Sequence, residues 1–267
     1  MRLDYGTQLS PVPITLSIGT LRKPTLKEIS QITFDRFSFY EFFLKLSPET
    51  YYTKLRKEND GEAFWDSLTE EEQDKITIYN IIEEDDKIRS TYVEIFNFFF
   101  VETVIYQEGF FILLKENTAI DNPDKIKREQ VRGAIAKDNF SQVISLLQQI
   151  CCIYNEEESL DDIEFKSDFV RKKYEKMLKA KKKAQENKKA DINLSIPNII
   201  SSISNMHPSL NYMNVWDLTV FQLLDAFNRL QANVMYDIDC TRVSVWGDEK
   251  KTFDVSLWYK NNYDNKD

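Results

Sequence analysis

The stretch that decides the fold runs from 214 to 230 and reads NVWDLTVFQLLDAFNRL. Thr219 and Gln222 are spaced as a capping box, in which the hydroxyl accepts from the N3 amide and the glutamine reaches back. Side chains suited to a buried face then recur every three or four residues, as on one face of a helix. They are Val220, Leu223, Phe227, Leu230, Val234, Ile238, Thr241 and Val245. With Gly247 suited to a left-handed stop, the stretch predicts a long, capped C-terminal helix.

Composition limits the classes of protein that this chain can belong to. The 267 residues carry a net charge of −9, and the pI is about 4.9. Binding to nucleic acid needs a cationic face, so nucleic acid is not expected as the main partner. The sequence has no run of 18 apolar residues, so no membrane span is expected either.

The fold class predicted for the chain is mainly α with a small β-hairpin, an α+β protein. Six Gly and seven Pro are few for this length, which disfavours a turn-rich all-β fold. Two more capping boxes, Thr25 with Glu28 and Thr69 with Glu72, mark helix starts. The first predicts one helix whose apolar positions run from Ile29 to Leu44.

The β content is predicted near the middle of the chain. The ranges 100–106 and 110–115 are rich in aromatic and β-branched residues and flank a short turn at Gly109, which predicts a hairpin. One buried helix interrupted at Gly109 is the alternative. Residues 131–135 form a possible third strand. The alternation of apolar and polar residues before Gly19 predicts an extended N-terminal arm or edge strand.

Charge divides the chain into three predicted parts. The segment 171–189 holds ten Lys or Arg against two Glu, and an acidic run precedes it. We predict an N-terminal α+β domain at 1–155, a charged linker or helix at 156–190, and a helical C-terminal domain at 191–267.

No constellation of residues for catalysis stands out. The single histidine, His207, precedes Pro208 and is interpreted as a structural or solvent-facing turn residue. One His and three Cys cannot supply a four-cysteine zinc site, or a site of two Cys and two His, at the usual spacing, and the Cys are expected to be reduced thiols. Glycine-rich phosphate loops are absent from the sequence. The chain is therefore not expected to be an enzyme or to bind a cofactor or metal.

Aromatic residues of the C-terminal part are the best physical hint of function. A two-helix piece of this size cannot bury all of its aromatic side chains alone. Some must contact the N-terminal domain or another protein. We predict partner-binding positions at Trp216, Phe221, Trp246 and Trp258.

The same residues resemble a known family. The stretch 214–230, the long helix reaching Trp246-Gly247, and the later Leu257-Trp258-Tyr259-Lys260 resemble the tail assembly chaperones of Gram-positive siphophages and myophages. The resemblance covers roughly the last 70 residues. It implies a non-enzymatic protein in the host cytoplasm that binds the tape-measure or tube protein during tail assembly.

Two other functions stay open from the sequence. A structural component of the phage tail or virion would have a similar sequence, and self-association would favour it. A nucleic-acid-associated factor would act through the basic segment 171–189, where Tyr174 is the one aromatic residue available for base stacking.

Overall fold

A computed structural model describes residues 2–56, 60–115, 126–153, 192–249 and 252–260. The predicted linker at 156–190, with its basic segment, lies outside the described residues. The helices are α1 (Tyr5–Leu9), α2 (Leu26–Ile32), α3 (Phe34–Leu44), α4 (Pro48–Thr50), α5 (Gly61–Ser67), α6 (Glu70–Gln73), α7 (Ile78–Glu84), α8 (Asp86–Phe99), α9 (Phe140–Ile150), α10 (Ile196–Met206) and α11 (Val220–Trp246). The strands are β1 (Ile14–Thr15), β2 (Thr20–Leu21), β3 (Val104–Gln107), β4 (Phe110–Leu114) and β5 (Val131–Ile135). Short 3-10 helices cover Arg128–Gln130, Ile192–Leu194 and Val215–Asp217, and a π-helical turn covers Tyr51–Leu55.

The predicted fold class is confirmed: the protein is mainly helical with two small antiparallel sheets. Strands β3, β4 and β5 form the larger sheet in that order, with Val104 opposite Leu113 and Phe111 opposite Ile135. The hairpin and the third strand are therefore present, and the alternative of one interrupted helix is wrong. The turn between β3 and β4 uses Gly109, whose φ is 84°.

The first strand of the hairpin is shorter than predicted. Phe100 leaves helix α8 and forms an isolated bridge with Leu21 rather than joining β3. The side chain of Asn97 then holds the start of β3, because its Oδ1 accepts from the Val104 amide at 2.9 Å and its Nδ2 donates to the Val104 carbonyl at 2.7 Å. Strand β3 therefore begins at Val104.

The single helix predicted from Ile29 to Leu44 is two helices. Thr33 ends α2 and begins α3 at a φ of 77°, a backbone region that β-branched residues rarely adopt. Its hydroxyl accepts from the Arg36 amide at 3.2 Å, so it is the N-cap of α3. The apolar period continues across this break, which is why the pattern alone did not reveal it.

The N-terminal arm is only partly extended. Residues Tyr5–Leu9 form a short helix capped by Asp4, and β1 pairs with β2 in a two-stranded sheet. The alternation before Gly19 therefore predicted a strand that is much shorter in the structure.

Aromatic side chains fill the centre of the fold between the helices and the larger sheet. Phe96 lies on Phe111 edge to face, with ring centroids 4.8 Å apart. Tyr92 is fully buried, and its hydroxyl donates to the Phe43 carbonyl at 2.9 Å. Buried rings of this kind contribute large apolar areas to the core.

The start of α11 packs directly against the N-terminal part. Thr25 and Thr219, the N-caps of α2 and α11, form an antiparallel bridge, and the Leu26 amide donates to the Leu218 carbonyl at 2.8 Å. Buried residues of both parts belong to one hydrophobic cluster. The predicted division at 1–155 and 191–267 stays a prediction, and the two parts share a packed boundary.

Candidate protein-binding surface

Helix α11 begins as the sequence predicts. The Thr219 amide donates to Gln222 Oε1 at 2.9 Å, and the Gln222 amide donates to Thr219 Oγ1 at 3.3 Å, which is a complete capping box. Val220 and Leu223 follow and are buried in the core. The helix then runs 27 residues to Trp246, a length of roughly 40 Å at the usual rise.

A second face of the first turns of α11 is covered by the short helix α1 near the N-terminus. The ring of Tyr5 lies edge-on to Phe221, with centroids 5.9 Å apart. Its hydroxyl donates to Asp225 Oδ1 at 3.1 Å. The Gln222 side chain donates to the Leu9 carbonyl at 2.8 Å. The early part of α11 is therefore held on two sides.

The later part of α11 leaves the core. On the predicted apolar face, Leu223 is 0% exposed, whereas Ile238 is 55% and Val245 is 64% exposed. The face predicted as one buried stripe is therefore buried only at its start, because the core ends before the helix does. Phe227 and Leu230 mark the transition and pack partly against the core.

Residues 252–260, which we call the return segment, run back along α11. The rings of Phe253 and Tyr236 stack with centroids 5.7 Å apart, and Arg229 Nη1 donates to the Lys260 carbonyl at 2.9 Å. The Asp248 carboxylate accepts from the amides of Phe253 and Thr252, which ties the start of the return segment to the C-terminal end of α11. These backbone hydrogen bonds lower the pKa of Asp248.

Together, 234–249 and 252–260 form a projection that we call the arm. Its exposed large apolar residues are Val234, Met235, Ile238, Val245, Trp246, Val255, Trp258 and Tyr259. Trp258 and Tyr259 form an edge-to-face pair with centroids 5.0 Å apart. Such a concentration of apolar side chains in contact with water is typical of a surface that binds another protein.

The four predicted partner-binding residues do not come together. Trp246 and Trp258 lie on the arm, where they are 77% and 51% exposed. Trp216 is half-buried before α11, with Nε1 donating to the Tyr212 carbonyl at 3.0 Å. Phe221 is 3% exposed, so it is a core residue rather than a surface contact, because Tyr5 and the core enclose it. Partner binding by the two exposed tryptophans stays a prediction.

Sequence reasoning assigned Val234 and Ile238 to the core and did not single out Met235. A signal for their exposure was available in the length of the helix. At roughly 40 Å, the 27-residue helix is longer than the roughly 30 Å diameter of a small domain, so its length was a reason to expect the last turns to extend past the core.

The remaining reactive side chains have structural environments. His207 Nδ1 accepts from the amides of Ser209 and Leu210, at 3.2 and 3.1 Å, which closes the turn after α10. None of the three cysteines forms a disulfide, and burial raises the pKa of the Cys151 thiol well above its usual value. Within the described ranges, no group of three or more His, Cys, Asp or Glu could hold a metal ion.

Comparison with known families gives one match. Residues 181–263 match the model of a phage-derived family described as the YomV second domain, which suggests a phage origin for this chain. The matched range covers roughly a third of the chain and includes α11 and the described part of the arm. No curated protein and no solved structure matches the chain. No helix among the described residues is long and apolar enough to cross a membrane.

Proposed function

We propose that this chain is a non-enzymatic phage protein that binds other virion proteins during tail assembly, with the arm as its binding surface. The observation that carries the proposal is the exposure of Trp246, Trp258 and Tyr259 on the arm, which projects from the core. The match to a phage-derived family over 181–263 supports it, because that range contains the arm.

Exposed aromatic residues are well suited to this role. Tryptophan and tyrosine are enriched among the residues that contribute most to binding energy at protein interfaces. Trp246 is 77% exposed, so a large apolar area is in contact with water. Binding of a partner protein would remove that area from water. The partners that we propose are the tape-measure or tube protein of the tail, met in the host cytoplasm.

The alternative role, a structural component of the tail or virion, uses the same surface and differs in where the chain ends up. An assembly factor is absent from the finished particle, whereas a structural component is present at many copies. Mass spectrometry of purified particles distinguishes the two.

The experiment combines that analysis with affinity capture from the phage-producing cells. The full chain is used as bait beside Trp258→Ala and Met213→Ala. Met213 is 88% exposed but lies before α11, so its truncation is a matched control for loss of a surface apolar side chain. We expect the wild-type chain and Met213→Ala to recover a tape-measure or tube protein, and Trp258→Ala to recover at least about tenfold less.

Equal recovery by all three chains would show that the arm is not the binding surface. Recovery of no virion protein by the wild-type chain would overturn the proposed function.

A further inference from the structure

One arginine on α11 contacts three separate segments of the chain. Arg229 Nε lies 3.7 Å from Asp225 Oδ1, one turn earlier on the same helix. Its Nη1 donates to the Lys260 carbonyl at 2.9 Å, at the end of the return segment. Its Nη2 donates to the Tyr5 hydroxyl of α1 at 3.4 Å. The three guanidinium nitrogens therefore face three different partners, two of which are 31 and 224 residues away in sequence.

The position of Arg229 on α11 explains how it reaches the N-terminal part of the chain. Phe221, Asp225 and Arg229 are spaced four residues apart, so they lie on one face of the helix. The Tyr5 ring lies edge-on to Phe221, and the Tyr5 hydroxyl donates to Asp225. Helix α1 therefore covers this face of α11 up to the turn that carries Arg229.

The return segment approaches this face from the other end of the helix. Its start is stacked on α11 through the rings of Phe253 and Tyr236. Its end is tied to α11 where the Lys260 carbonyl accepts from Arg229. The exposed pair Trp258–Tyr259 lies between these two attachments, directly before Lys260 in sequence. The hydrogen bond from Arg229 therefore limits how far the aromatic pair can move from the helix.

We infer that Arg229 is a positioning residue for the partner-binding surface, and that Tyr5 acts through it. This role rests on the proposed function, in which Trp258 and Tyr259 bind a virion protein. A surface that is already held in its bound shape loses less conformational freedom on binding, so it binds more tightly than a mobile one. Arg229 acts on the surface by holding the chain next to the aromatic pair.

Burial and shape suit Arg229 to this role. The side chains of Arg229 and Asp225 are 26% and 13% exposed, so their contact is partly shielded from salt. The guanidinium is planar and has five N–H donors in fixed directions, which allows it to bind several partners at once. Lysine has the same charge but a single nitrogen, so it cannot hold Asp225, Tyr5 and the Lys260 carbonyl in the same arrangement.

The packing of Tyr5 can be separated from its hydrogen bonding. Its ring lies on Phe221 with centroids 5.9 Å apart, and Tyr5→Phe keeps that ring. Its hydroxyl donates to Asp225 Oδ1 at 3.1 Å and accepts from Arg229, and Tyr5→Phe removes both hydrogen bonds. Tyr5→Phe therefore changes the support of Arg229 while the ring still packs on α11.

A matched control lies on the same helix. Arg242 Nε is 3.0 Å from Asp239 Oδ1, and the Arg242 side chain is 39% exposed. Like Arg229, it pairs with a carboxylate of α11. Within the described part of the chain, Arg242 makes no hydrogen bond to the return segment. Arg242→Gln therefore removes a charge and an ion pair from α11 without releasing the return segment.

The first test is hydrogen–deuterium exchange at residue resolution on the full chain alone. The Leu257 and Tyr259 amides form hydrogen bonds within the return segment and report on its end near Arg229. We expect their exchange to be at least about tenfold faster in Arg229→Gln and Arg229→Lys, because loss of a hydrogen bond from a charged donor allows the segment to open. Arg242→Gln should exchange like the wild-type chain, and α8 and α9 should stay protected in every variant.

Tyr5→Phe tests whether Tyr5 acts through Arg229. We expect roughly threefold faster exchange at the same two amides, because a neutral hydroxyl contributes less than a charged donor. In the double variant with Arg229→Gln, exchange should be no faster than in Arg229→Gln alone, since residues that act through one contact are not additive. Additive effects would show that Tyr5 does not act through Arg229.

Affinity capture from phage-producing cells tests the consequence for binding. We expect Arg229→Gln and Arg229→Lys to recover at least about threefold less partner than the wild-type chain and Arg242→Gln. Unchanged exchange at Leu257 and Tyr259 in Arg229→Gln would overturn the inference, and so would faster exchange with undiminished capture. A wild-type chain that recovers no virion protein would instead refute the proposed function, and the exchange of these amides would still show whether Arg229 holds the return segment.

Discussion

Truncation of two residues on the same face of α11, Leu223 and Ile238, tests where the core of this protein ends. Leu223→Ala removes three carbons from a side chain that is 0% exposed. Their transfer contributes about 2.4 kcal/mol at about 0.8 kcal/mol per carbon, and the cavity left behind adds to it. We expect the free energy of unfolding to fall by about 3–4 kcal/mol, within the range for leucine truncations in cores.

Ile238→Ala removes the same number of carbons from a side chain that is 55% exposed. Just under half of the transfer contribution is lost, or about 1 kcal/mol, and the better helix propensity of alanine offsets a few tenths. We expect a net loss of about 0.5 kcal/mol. The assay is urea unfolding followed by circular dichroism, at about 1 μM chain so that self-association does not add to the stability.

The difference between the two losses of unfolding free energy shows where along α11 the core ends. If Ile238→Ala costs as much as Leu223→Ala at this low concentration, the later half of α11 is packed against the rest of the chain, and the arm does not project. If Leu223→Ala costs under about 1 kcal/mol, the first half of the helix is not part of the core.

Three further predictions concern the cap, a close packing contact and a buried hydroxyl. Thr219→Ala should lower the free energy of unfolding by about 1 kcal/mol through loss of the capping box. The control Thr241→Ala, at an exposed helical site, should change that free energy by under about 0.5 kcal/mol. Equal effects of the two variants in urea unfolding would show that the cap does not contribute to stability. Gly133→Ala should lower the free energy of unfolding by about 1–3 kcal/mol, because the added Cβ would lie 2.3 Å from the Ile18 carbonyl oxygen. An unchanged denaturation midpoint would show that β5 does not pack against the residues between β1 and β2. Burial raises the pKa of Tyr79 from 10.0 to about 12. Because the unfolded chain loses this proton at a lower pH than the folded chain, the free energy of unfolding should fall as the pH rises from about 10 to about 12. A Tyr79→Phe variant whose free energy of unfolding falls over this range as much as that of the wild-type chain would contradict the contribution of Tyr79.

Local chemistry made much of the fold predictable. The capping boxes at Thr25, Thr69 and Thr219 are all present, because each depends on side chains within one turn of the helix start. The hairpin was predictable for a related reason, since Gly109 determines the turn and the aromatic and β-branched residues of the two flanking stretches determine the strands. The break at Thr33 was not, because an apolar period continues across it.

The candidate site was harder to predict than the elements that build it. The spacing of apolar residues identified one face of α11 but not how far the core extends along it, which depends on the packing of distant segments. For the same reason Phe221 was predicted as a partner contact, although Tyr5, more than 200 residues away in sequence, covers it. Trp246 and Trp258 are exposed because they lie beyond those packed segments.

The most direct test of the central claim, that the arm binds another virion protein, is hydrogen–deuterium exchange on the chain alone and on the complex recovered from phage-producing cells. Both samples are measured at the same chain concentration, so that self-association is constant. We predict slower exchange in the complex within 234–249 and 252–260, with the core helices α8 and α9 unchanged. Protection confined to the core helices, with exchange in the arm unaltered, would contradict the claim.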